Sequence, residues 1–68
     1  MPDREASREI LFELTAVGGA VRVVAIDAAT GIEVTIMGPT TAPRAALQRL
    51  AAQKLERRLA REGETGRG

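Results

Sequence analysis

Residues 9–37 read EILFELTAVGGAVRVVAIDAATGIEVTIM. Three β-rich runs are separated here by two turn signals. Gly18-Gly19 is a two-residue link, and glycine tolerates the positive φ that primed hairpin turns demand. With those two residues as the turn, Val17 faces Ala20, Ala16 faces Val21, Leu14 faces Val23, Phe12 faces Ala25 and Ile10 faces Asp27. The second link is Asp27-Ala28-Ala29-Thr30-Gly31. Asp accepts hydrogen bonds from a turn backbone, and Gly31 can take the left-handed position that closes a longer hairpin loop. Residues 32–37 then run back beside the second strand, with Val34 near Ala25 and Ile36 near Val23.

Strand side chains alternate, so one register sorts all three strands at once. Face one collects Ile10, Phe12, Leu14, Ala16, Val21, Val23, Ala25, Ile32, Val34 and Ile36. Its one charge is Asp27, at the end. Face two mixes Leu11, Val17, Val24, Ile26 and Met37 with Glu13, Thr15, Arg22, Glu33 and Thr35. Face one is the core side.

Working outward, Gly38-Pro39-Thr40-Thr41-Ala42-Pro43 breaks the third strand. Thr41 reads as a helix N-cap, with Pro43 in the first turn. Residues 42–62 are strong helix formers, and Gly63 is a natural stop. Leu47, Ala51, Leu55 and Leu59 form an i, i+4 row, flanked by Leu50 and Ala46 on one edge and Ala52 on the other. That row covers face one; Lys54 and Arg58 at its margin pack their stems and extend their charges outward. The fold predicted is α+β: a three-stranded antiparallel β-meander followed by one C-terminal α-helix packed on one sheet face (β-β-β-α). Residues 9–62 form the single domain, 1–8 a flexible N-terminal arm and 63–68 a flexible C-terminal tail.

Composition narrows the function classes. The chain has 68 residues, too few for more than one domain and marginal as a free-standing core. It has no cysteine and no histidine, so thiol chemistry and the commonest metal ligands and general base are absent. Phe12 is the one aromatic residue, so there is no stacking platform for bases. Ser7 or a Thr would be the only nucleophile, without an evident base. The strand acids Glu13, Asp27 and Glu33 have no enclosed cleft to perturb them. The expectation is a non-enzyme with no catalytic residues, no metal site, no cofactor and no small-molecule substrate. Residues 27–33 lack the interior ligands of a calcium loop. Residues 1–8 lack a signal-peptide core, and no run approaches the roughly 18 apolar residues of a membrane span. No membrane association is expected, and the absence of cysteine fits a cytoplasmic protein.

Two surfaces remain as candidates. The first is face two, which one helix cannot cover if it packs on face one. Leaving its apolar side chains wet forgoes about 25 cal/mol per Å² of burial. Self-association through Leu11, Val24, Ile26 and Met37, with Glu13 and Arg22 setting polar register, would recover it, and a dimer is favoured. An ordinary half-wet antiparallel sheet is the alternative. The second is the helix flank of Lys54, Arg57, Arg58 and Arg61, at i, i+3, i+4 and i+7. The like-charge pairs Lys54/Arg58 and Arg57/Arg61 oppose one another. An anionic partner such as a nucleic-acid phosphate backbone would relieve them, but favourable placement of cations near a helix C-terminus in an Arg-rich chain is the stronger account. Charge is uneven: residues 1–41 carry three arginines against six acids, and residues 42–62 six basic residues against two acids, within a net charge of +1. The loop at 38–44 could hold an anion at a helix start, though capping alone explains it.

The run Val21, Arg22, Val23, Ala25, Ile26, Asp27, Thr30, Gly31, Glu33, Val34, Ile36, Gly38 and Pro39 fits a VRVxAIDxxTGxEVxIxGP pattern. With the Ala/Leu/Arg helix that follows, it resembles small uncharacterised bacterial proteins of unknown function. The resemblance spans about two thirds of the chain. It implies no activity and makes a free-standing short chain a normal form. The function expected is a self-associating protein–protein interaction module, with nucleic-acid binding through the basic flank as the alternative.

Overall fold

The computed structural model describes residues 9–66, with side chains through residue 63. The expected N-terminal arm, residues 1–8, lies outside the described residues. Strands β1 (Ile10–Val17), β2 (Ala20–Asp27) and β3 (Glu33–Pro39) are followed by helix α1 (Arg44–Gly66). The sheet is antiparallel in the order β1-β2-β3. Gly18 has φ 60°, while Gly19 stays out of the positive-φ region. Positive φ at the first central residue alone matches a II′ hairpin, whose twist suits the flanking strands. Val17 and Ala20 close this turn, and every expected pairing of β1 with β2 follows from it.

The second corner is built around Asp27. Its N–H donates to the Ile32 carbonyl at 2.8 Å, and its own carbonyl accepts from the Gly31 N–H at 2.8 Å. Gly31 has φ 78°, the left-handed conformation the loop requires. Ile32 therefore belongs to the loop closure, and β3 begins at Glu33 and runs two residues beyond Met37 to Pro39. Val34 opposite Ala25 and Ile36 opposite Val23 are as the alternation predicts.

Val23, Ala25 and Val34 of face one form the core with Leu47, Ala51 and Leu55 of the helix. Central strand β2 sits deepest, since it has a neighbour on both sides and the helix above. The helix packs on β2 and β3. The β1 residues Ile10, Phe12 and Leu14 flank the core only half-buried, and Ala16 is exposed.

Both helix ends depart from expectation. The helix starts at Arg44, and the Pro43 carbonyl accepts from Ala46 and Leu47. Pro43 thus occupies the cap position assigned to Thr41, because the turn closed by Ala42 N–H on the Pro39 carbonyl delays helical geometry. At the other end the helix passes through Gly63 to Gly66. Gly63 does not take the positive φ of a terminating glycine, so nothing halts the backbone ladder there.

Candidate functional site

The register lays face two out in cross-strand rows: Leu11-Ile26-Glu33, Glu13-Val24-Thr35 and Thr15-Arg22-Met37. The residues singled out from sequence (Leu11, Glu13, Arg22, Val24, Ile26 and Met37) all lie on this one surface. No helix among the described residues covers it, since α1 lies on the opposite side. Leu11 is 47% and Met37 55% exposed, whereas Val24 and Ile26 are half-buried between their strand neighbours. Val17, at the hairpin end of the face, is 48% exposed. Glu13 and Arg22 stand in adjacent rows, and among the described residues they form no ion pair. Diagonal neighbours are about 7–8 Å apart, which an exposed pair gains little by closing.

The basic flank divides. Lys54 Nζ donates to the Thr35 carbonyl at 2.9 Å, tying the helix to the outer side of β3. Arg58 Nε donates to Glu62 Oε2 at 2.9 Å, an i, i+4 ion pair with both side chains partly in solvent. The expected unrelieved repulsion at Lys54/Arg58 is therefore replaced: each cation has its own acceptor, and Arg58 points away. Lys54, Arg57 and Arg61 do converge, lining an open depression with Ala60. A neighbouring depression joins Lys54 and Arg57 to Ile36, Met37, Leu50 and Gln53. Leu50, expected at the edge of the core stripe, is 53% exposed there. It projects beyond β3, where no further strand lies beneath it.

Asp27 is the one buried charged or polar residue among the described residues, at 3% exposure. Its Oδ2 accepts from the Thr30 N–H at 3.1 Å and from Thr30 Oγ1 at 2.7 Å, while Oγ1 accepts from the Ile32 N–H at 3.2 Å. Its Oδ1 is buried without a partner among the described residues. Sequence reasoning found the turn role of Asp27 but missed the Thr30 relay. The signal was present, since an Asp followed three residues later by Thr is an Asx-type arrangement.

In the 38–44 loop the Ala42 N–H donates to the Pro39 carbonyl, and the Pro43 carbonyl accepts from Ala46 and Leu47. No helix among the described residues is long and apolar enough to cross a membrane. The model of the Domain of unknown function (DUF6898) matches residues 7–62. The chain belongs to that family. The DUF6898 match takes in all three strands and most of the helix, so the resemblance carried by the 21–39 pattern and the helix after it is part of a longer likeness. No curated protein and no solved structure matches this DUF6898 chain.

Proposed function

We propose that this chain is a small, non-enzymatic cytoplasmic protein that self-associates, a dimer first, and serves as a protein–protein interaction module. The observation that carries this reading is the uncovered face two, where Leu11, Val17 and Met37 stand exposed around the half-buried Val24 and Ile26. A domain this small has little stability to spare for such exposure. Packing face two against a second copy buries those five side chains, with Glu13 and Arg22 at the rim. Light scattering across protein concentration tests it. The expected result is a mass of two chains or more, reduced in Val24→Glu; a wild-type monomer at every concentration overturns the reading.

A second reading is favoured by the convergence of Lys54, Arg57 and Arg61 on one depression. There the chain binds a nucleic-acid phosphate backbone. Duplex binding that falls steeply with salt, and is lost when these three become Gln, supports it. No binding at low salt removes it.

A further inference from the structure

The two edges of the sheet are unequal. The Asp27 N–H points to β3, bonding the Ile32 carbonyl, and the Ala28 N–H points to β1, bonding the Glu9 carbonyl at 3.1 Å. Backbone groups alternate in direction along an antiparallel ladder. On β3, therefore, Glu33, Thr35, Met37 and Pro39 turn their backbone groups outward. That edge is closed in two places. The Thr35 carbonyl takes the Lys54 ammonium, and Pro39 has no N–H and gives its carbonyl to Ala42. On β1 the outward residues are Ile10, Phe12, Leu14 and Ala16. None of them is Pro or charged, and no hydrogen bond among the described residues meets their outward groups. Proteins ordinarily blunt such an edge with Lys, Pro, a bulge or a covering helix; among the described residues those devices serve β3 alone.

We infer that the β1 edge pairs antiparallel with the β1 edge of a second copy, about a two-fold axis at Leu14. An antiparallel edge is complementary to itself, so a second copy supplies every donor and acceptor that the first lacks. Residues opposite one another share a face, which restricts the axis to a residue of β1 rather than a point between residues. An axis at Glu13 sets two carboxylates directly opposite each other, which is repulsive. An axis at Phe12 sets Leu11 against Glu13 and shortens the overlap. An axis at Thr15 sets Glu13 against Val17 and runs Phe12 into the turn. With the axis at Leu14, Leu14 meets Leu14 and Phe12 meets the small Ala16 on face one. On face two Leu11 meets Val17, pairing two of the most exposed apolar side chains. Glu13 meets Thr15, whose β2 neighbour is Arg22, so the acid of one copy and the arginine of the other share a row. The result is a continuous six-stranded sheet with both helices on one side.

This contact is distinct from the face-two packing proposed above, and amide exchange separates them. With the unmutated protein at concentrations where scattering gives an oligomer, the amides of Phe12, Leu14 and Ala16 are expected to exchange at least about tenfold slower than after dilution to monomer. With both contacts present the wild type exceeds two chains, and Val24→Glu falls to a two-chain species in which the same protection is expected. An oligomer in which those three amides exchange at unpaired rates overturns the edge contact and leaves face-two packing standing. An oligomer unaffected by Val24→Glu, with those amides protected, does the reverse. A monomer at every concentration overturns both. The chain has no cysteine, so Leu14→Cys adds a single thiol: a disulfide-linked dimer forming through it supports the axis, and failure to cross-link within a folded oligomer overturns it.

Discussion

Asp27 shows how a single residue can do two jobs at different depths. Its backbone closes the corner and its Oδ2 gathers the Thr30 N–H and hydroxyl, yet the group is almost wholly buried. Asp27→Ala removes both side-chain bonds to the exposed Thr30, whose donors then turn to water, so a loss of about 1–2 kcal/mol is expected in urea unfolding. Gly38 is governed by proximity instead. A Cβ there would run into the side chain of Leu47, which is itself only 4% exposed and has little room to yield. Gly38→Ala is expected to cost about 1–3 kcal/mol, read as a lower urea midpoint with an unchanged slope. In the sequence Gly38 reads as a strand breaker beside Pro39. Its contact with Leu47 was not legible, because it depends on where the helix returns. The burial of Asp27 was hidden for the same reason: turn chemistry names an acceptor, but not what lies over it.

Among the elements, the meander was legible almost to the residue and the helix was not. A two-residue turn leaves one pairing for each strand position, and one apolar face then agrees across three strands. The helical stripe names the side of the helix that packs, but not which strands lie beneath it. Chain connectivity decides that. Only residues 40–43 separate β3 from the helix, so the helix starts beside β3 and covers β3 and β2. This offset leaves Leu50 overhanging and Phe12 half-covered. It also brings Lys54 to the Thr35 carbonyl, a contact no periodicity could announce. Leu55 is fully buried at the centre of the helix contact. Leu55→Ala should cost about 2–5 kcal/mol, enough to leave much of so small a domain unfolded by circular dichroism at room temperature. Lys54→Met keeps the apolar stem and loses the donor, with a drop of about 1 kcal/mol or less.

For the whole molecule, two layers must do all the burying. The molecule extends 15 Å in its thinnest direction, so one sheet face and one helix face are always outermost. The proposed self-association would bury the apolar share of that surface. Contacts of apolar side chains and backbone hydrogen bonds are screened little by salt. The oligomer mass by light scattering is therefore expected to be the same at low and high ionic strength. Dissolution in salt would instead mean that the acidic sheet of one copy meets the basic helix of another. The family match covers residues 7–62. The candidate surfaces were legible only as residue lists, because exposure depends on where the single helix lands.

The offset of the helix also bears on the order of assembly. Each strand pairs with its neighbour in the chain, and the helix lies against the strand that leads into it. Such a topology has few distant segments to bring together, and chains dominated by local contacts fold fast. Within it, β2, β3 and α1 brace one another, while β1 is held along a single side. In the monomer β1 is then expected to dock last and open first, uncovering the flank of the core, which faster amide exchange in β1 than in β2 would show. A second copy bound along that edge would act as a latch on the step where the fold begins to come apart.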